Sequence, residues 1–242
     1  MLEVNKIHYG DAYELIKLIP DKSVDVIITD PPYHFSNMQS GGKSPLARQH
    51  RERKKELVEL DIVKGIKPEI LVEFVRVLKT VNCYIWCNKK QIPEYLEFFA
   101  TRHGCRFEIL IWSKSNALPM FHNTYLSDKE YCLYFRKGGY CNPQNYDDAR
   151  TVFYEPTNIT DKRLFTHPTI KPLKFIATLI RNSSKPGDLV FDPFMGSGTT
   201  AIAATETGRQ FIGFENNAKW YKIACDRLNG IDATGQTAFI LR

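Results

Sequence analysis

Short apolar runs of strand length alternate along the chain with segments whose apolar residues return every three or four positions. The runs cover residues 6–9, 24–29, 83–86, 107–112, 131–135, 189–191 and 211–214, and the helical segments cover 11–18, 68–78, 93–102, 173–182, 199–206 and 217–228. Such alternation predicts an α/β fold, a doubly wound and largely parallel sheet with helices on both faces. Pro68 and Pro93 fall at first-turn positions, and Gly104, Gly208 and Gly230 at helix ends. Two stretches break the pattern. Residues 34–65 are polar and basic and read as a mobile loop or a short exposed helix, and residues 113–166 mix Asn, Pro, Tyr, Lys and Arg around one strand, as a partner-facing surface would.

Composition narrows the class. With 242 residues, 43% of them apolar, the chain can bury a core without disulfides or metals, which excludes disorder as its main state and favours one domain over 1–242. Thirty-three Lys and Arg against 27 Asp and Glu leave a net charge of +6, slightly favouring a polyanionic partner over a merely solvated basic surface. The six cysteines include no CxxC pair and no Cys/His cluster of zinc spacing, so no metal site is expected and the thiols should be reduced. Charges interrupt the N-terminus where a signal peptide needs its apolar stretch, and no run reaches the roughly 18 apolar residues of a membrane span. A cytoplasmic protein without membrane contact is expected.

Two segments carry chemistry. Phe191-Asp192-Pro193-Phe194-Met195-Gly196-Ser197-Gly198-Thr199-Thr200-Ala201 follows an apolar strand and opens a helix, in the pattern G-x-G-x-x-A. The glycines allow a tight turn close to a ligand, and the helix N-terminus offers free N–H groups and a positive dipole end. Glu215, nineteen residues after Gly196, ends the next strand, where a carboxylate would grip ribose hydroxyls. A dinucleotide and an adenosyl cofactor share these features. Asp192 beside the loop would repel a pyrophosphate and suit the ammonium of an amino-acid tail, which favours S-adenosylmethionine over NAD.

The second segment, Asp30-Pro31-Pro32-Tyr33, ends the apolar strand 24–29. An exocyclic amine on a nucleobase is a poor nucleophile because its lone pair is delocalised into the ring. Two fixed acceptors for its protons, the Asp30 carboxylate and the Pro31 carbonyl, would favour a pyramidal nitrogen, and Tyr33 could stack on the base. A plain strand-ending turn is the competing reading. Asp11 after strand 6–9 suits an adenine edge or a helix N-cap about equally, and Thr169 and Lys171 could meet a carboxylate or cap the helix 173–182.

Together these residues resemble the S-adenosylmethionine-dependent DNA amino-methyltransferases, and the order, Asp30–Tyr33 ahead of Asp192–Thr200, resembles their β group. The match also takes in Gly10-Asp11, Trp112-Ser113-Lys114, residues 167–172 and residues 211–217. The resemblance implies a seven-stranded Rossmann-like sheet with one antiparallel strand, 131–135, and with strand 6–9 beside 211–214. It implies that Asp30, Pro31, Pro32 and Tyr33 hold a flipped base. Asp192, Phe194, Gly196, Ser197, Gly198, Thr199 and Thr200 would line the methionine side of the cofactor. Glu215 and Asn217 would lie by the ribose, Asp11 and Ala12 by the adenine, and His167, Thr169 and Lys171 by the amino-acid tail. Ile170 and Trp220 depart from the family's usual Gln and Tyr without touching a charged contact.

The resemblance further implies double-stranded DNA as substrate, residues 113–166 as a compact target-recognition region, and restriction-modification as a setting, with a cognate endonuclease and a homodimer as further partners. Lys43, Arg48, Arg51, Arg53, Lys54 and Lys55, against a single Glu52, would then contact phosphates. Asp ahead of Pro-Pro-Tyr goes mostly with adenine N6 in this family, so an adenine N6-methyltransferase is expected. The N4-cytosine enzyme is the nearest alternative. A non-catalytic DNA-binding subunit should show a degraded motif, and a nicotinamide-dependent oxidoreductase should respond to NAD instead.

Overall fold

The computed structural model describes residues 2–33, 65–117, 125–157, 159, 164–165, 170–232 and 234–237. Its strands are β1 (Lys6–Tyr9), β2 (Val26–Thr29), β3 (Val81–Cys87), β4 (Arg106–Lys114), β5 (Lys129–Lys137), β6 (Val152–Glu155), β7 (Leu189–Asp192) and β8 (Gln210–Glu215). The helices are α1 (Ala12–Leu15), α2 (Glu69–Val77), α3 (Ile92–Tyr95), α4 (Leu173–Ser183), α5 (Thr199–Glu206) and α6 (Ala218–Leu228). A 3₁₀ turn at Ile16–Leu18 extends α1, and a wider π-type winding at Leu96–Arg102 extends α3.

All eight strands join one sheet in the order β1-β8-β7-β2-β3-β5-β4-β6. Pairing is parallel except at β5, which runs antiparallel to both β3 and β4. The seven expected strands are present, with 131–135 as the antiparallel one and β1 beside β8. The eighth, β6, adds an edge next to β4 inside the 113–166 segment. Its side chains alternate between exposed and half-buried, so it presents no apolar run from which a strand would be read.

Alternate residues of the central strands feed two cores. Ile27, Cys83, Ile85, Phe191 and Phe214 face α2 and the α3 segment, where Ile70, Leu71, Phe74, Tyr95 and Phe99 are buried. Val26, Ile28, Tyr84, Trp86, Val190 and Phe211 face α4, α5 and α6, meeting Phe175, Ile176, Ile180, Ala201 and Ala224. Full burial of such side chains contributes about 1.5–3 kcal/mol each, so helices are required on both faces of the sheet. The central strands read as unbroken apolar runs for the same reason.

The topology also places the site. From β7 the chain crosses to β8 on one side, and from β2 it crosses to β3 on the other, while β2 and β7 are neighbours with Ile27 opposite Phe191. The order of strands therefore reverses between β2 and β7. Crevices outside the carboxyl ends of strands at such a switch point are where open α/β sheets hold ligands.

Candidate active site

The segment 30–33 leaves β2 and the glycine segment leaves β7 at the same edge of the sheet. A hydrogen bond ties the two exits, the Thr29 hydroxyl donating to Asp192 Oδ1 at 2.8 Å. Asp192 is 3% exposed. It also accepts the Thr200 hydroxyl at 2.7 Å and the Phe194 N–H at 3.1 Å. Burial raises its carboxyl strongly, the three donors lower it, Asp30 raises it again, and the result is a value pushed up to about 7.

Gly196 and Gly198 both take positive φ, 53° and 80°, as the tight turn requires. A Cβ on Gly198 would meet the Ala224 carbonyl at 3.1 Å, so this glycine also lets α5 pack against α6. Glu215 at the end of β8 clamps the turn, its Oε2 accepting the Gly196 N–H at 2.9 Å and its Oε1 the Asn217 N–H at 2.8 Å. Burial raises the Glu215 carboxyl against the pull of these amides. Arg227, buried on α6, braces the turn from beneath and donates to the Ser197 carbonyl at 3.1 Å and to Thr199 Oγ1 at 2.8 Å. Ser197 and Thr199 thus turn inward onto Arg227 and Thr200 onto Asp192. Within 191–200, Phe194 and Gly196 alone keep partial exposure.

The base-side segment is held as firmly. The Tyr33 hydroxyl donates to Asp30 Oδ1 at 2.7 Å, and Gln91 Nε2 donates to the Pro32 carbonyl at 3.3 Å. Burial, then Asp30, lifts the Tyr33 phenol well above its ordinary range, so it stays a donor. Lys171, 7% exposed, pairs its Nζ with Asp30 Oδ2 and lies 3.2 Å from Glu130 Oε2 and 4.9 Å from the centre of the Trp86 ring. Burial opposes its charge, but Asp30 and then Glu130 raise its pKa above the ordinary value. Glu130, at the start of β5, also pairs with Lys114 at 2.6 Å. Burial would lift its carboxyl, but Lys171 and Lys114 hold it down at about 2. Cys87 closes β3 nearby, its thiol pushed up to about 12 by burial and then by Asp30.

The other expected residues divide. Asp11 caps α1, accepting the Tyr13 N–H at 2.7 Å, and Ala12 is buried beneath it. Asn217 caps α6 through the amides of Lys219 and Trp220. His167, Thr169, Lys43, Arg48, Arg51, Arg53, Lys54 and Lys55 lie outside the described residues. Sequence reasoning did not single out Thr29, Gln91, Glu130 or Arg227. Arg227 carried a signal, since it continues the apolar stripe of α6 through Trp220 and Ala224, all three of them buried. Glu130 carried a weaker one, a carboxylate opening an apolar strand.

Comparison with known proteins identifies the family. The chain is 29% identical over 276 residues to the type II methyltransferase M1.MboII of Moraxella bovis, an alignment covering 96% of this chain and 99% of that one. Among solved structures it resembles an M1.HpyAVI–SAM complex, with a TM-score of 0.65, 27% identity and coverage of 92% and 98% of the two chains. It shares the fold of the cytosine-N4-specific PvuII DNA methyltransferase, with a TM-score of 0.70 at 18% identity and coverage of 92% and 85%. The DNA methylase family that groups N6 and N4 amino-methyltransferases matches residues 24–226, and the protein belongs to that family.

Proposed function

We propose that this chain transfers a methyl group from S-adenosylmethionine to the N6 amino group of an adenine flipped out of double-stranded DNA. The observation that carries the reading is the Thr29–Asp192 hydrogen bond at the switch point. It fixes the amine-accepting segment and the glycine turn on adjacent strands at one crevice. The residues present fit the cofactor. Asp192 is a buried carboxylate held by three neutral donors, whose charged form a neighbouring cation would favour, and Phe194 and Gly196 are the parts of the turn left open to a ligand. Glu215 ends β8 opposite Tyr9 of β1, and Asp11 follows β1 at the same edge as the cap of α1, where adenine and ribose would lie.

When bound, the cofactor supplies an electrophilic methyl group on a sulfonium, which leaves as a neutral thioether. The chain's part is positioning and electrostatics. The Asp30 carboxylate and the Pro31 carbonyl accept hydrogen bonds from the amino group, the Tyr33 ring stacks on the base, and the nitrogen lone pair is freed to form the new bond. The methylated nitrogen then sheds its extra proton to water. A Cys87 thiol pushed up to about 12 stays protonated at neutral pH and offers no nucleophile. Flipping costs a few kcal/mol, offset by pocket contacts. The six cations within 43–55 would add phosphate contacts, so DNA affinity should fall steeply with salt. The likeness to type II methyltransferases extends the proposal to a cognate endonuclease at the same site. Intact motifs at both segments favour an enzyme over a non-catalytic subunit.

Incubation with DNA and tritiated S-adenosylmethionine, followed by digestion to nucleosides, tests the reading. Label in N6-methyl-2′-deoxyadenosine is the expected result. Label confined to N4-methyl-2′-deoxycytidine would replace the target base while keeping the chemistry, and no label in either would refute the proposal.

A further inference from the structure

The glycine turn and the segment 30–33 leave one part of the crevice unexplained, the charged chain Lys114–Glu130–Lys171–Asp30. Lys171 was expected beside a cofactor's carboxylate, yet its ammonium sits between two carboxylates of this protein. Glu130 Oε2 is a buried oxygen that meets Lys171 as a charge, outside hydrogen-bonding geometry. Its other oxygen is held by Lys114 from β4. Lys171 is buried while Lys114, Glu130 and Asp30 keep partial exposure; a buried ammonium is costly unless carboxylates fix it, and this row ends on Asp30, the proposed acceptor for the target amine.

We propose that Lys171, held in place by Glu130, is a positioning residue for Asp30: its ammonium fixes the direction of that carboxylate, and Glu130 shares the ammonium so that the target amine can also reach Asp30. This rests on the role given to Asp30 under the proposed function. A carboxylate oxygen has two lone-pair directions, so Asp30 Oδ2 can serve Lys171 and a second donor, while Tyr33 occupies Oδ1. Without Glu130 the full ammonium charge would fall on Asp30 and compete with the incoming amine. Without Lys171, Asp30 and Glu130 would face each other across the crevice with Asp192 nearby, and one of them would take a proton. The titratable groups facing Asp30 are Tyr33 on its own segment, Cys87 from β3, Glu130 and Cys132 from β5, Asp192 from β7 and Lys171 before α4. Cys87 and Cys132 are both raised by burial and stay neutral through the range of the test.

The experiment measures kcat against pH at saturating cofactor, where titration of Asp192 is suppressed, together with urea unfolding of the cofactor-free variants. Lys171→Met should move the acid limb of kcat upward by about one pH unit or more. It should also widen the stability gap to wild type as pH rises, because Asp30, and Glu130 with only Lys114 left as its partner, must then ionise without the Lys171 charge. Lys171→Arg should leave the limb in place, and adding Glu130→Gln to Lys171→Met should return it part of the way. Glu130→Gln alone should shift the limb downward and raise KM for DNA, a sign opposite to that of Lys171→Met that general disruption would not produce. Loss of activity in Lys171→Met and Glu130→Gln with the limb unmoved in both would overturn the proposal. Wild-type turnover in Asp30→Asn would instead remove the reading of Asp30 on which it rests.

Discussion

With Asp192 beside the cofactor, as proposed, its carboxyl makes cofactor binding pH-dependent. In the free protein it sits at about 7 because burial outweighs the donors from Thr29, Thr200 and Phe194. A sulfonium and an ammonium arriving beside it favour its charged form, so cofactor binding below neutrality must release a proton. If the carboxyl is fully ionised in the complex, the apparent affinity falls as 1 + 10^(7 − pH), which makes binding about 25-fold weaker at pH 5.5 than at pH 7.5. Stability follows the same group. Its folded value lies above the ordinary 3.8, so its contribution is fully present below about pH 4 and is lost as pH rises through about 7, on the order of 4 kcal/mol in all. The assay is isothermal titration calorimetry of S-adenosylmethionine binding in two buffers of different ionisation enthalpy. About one proton should be released per cofactor at pH 6 and few at pH 7.5. Asp192→Asn should bind more weakly, release no proton, and gain stability relative to wild type as pH rises. An affinity for wild type that stays flat from pH 5.5 to 7.5 would refute this account of the pocket.

Three substitutions test the supports around the site. Arg227→Met removes the donors at 2.8 and 3.1 Å that brace the glycine turn. Charge-assisted bonds are worth about 1.5–3 kcal/mol each, less the relief of an unburied charge, so a lower Tm and a cofactor Kd raised at least about tenfold are expected from thermal shift and calorimetry. Gly198→Ala places a Cβ at φ 80°, 3.1 Å from the Ala224 carbonyl. The left-handed conformation alone costs about 1–2 kcal/mol, and urea unfolding should register at least that loss. Tyr33→Phe keeps the ring but removes the 2.7 Å bond to Asp30, and kcat should fall about tenfold with KM for DNA little changed.

Much of this architecture is legible in residue patterns because the central strands are buried on both faces. β1 and α5 have the ranges their apolar residues predict, β2 starts two residues later than expected, β3 extends at both ends, and β4, β5, β7 and β8 gain polar residues at their ends. β6 is hidden because an edge strand needs no apolar run. The positive φ values at Gly196 and Gly198 follow from a glycine turn between strand and helix. What the pattern could not reveal is which way small polar side chains turn. Ser197 and Thr199 face a buried guanidinium thirty and twenty-eight residues further along the chain, and Asp11 serves its own helix. Lys171 meets Asp30 across 141 residues of sequence. Pairings at such separation depend on the register between β2, β5 and the approach to α4, which no local spacing encodes.

The central claim is that Asp30 activates an amine at a crevice shared with the cofactor, and single-turnover transfer by Asp30→Ala tests it most directly, with cofactor affinity measured on the same sample. Loss of a preorganised acceptor should slow methyl transfer by about 10²–10³-fold while S-adenosylmethionine binds within a few-fold of wild type. Transfer at the wild-type rate, or loss of cofactor binding in step with transfer, would contradict the account.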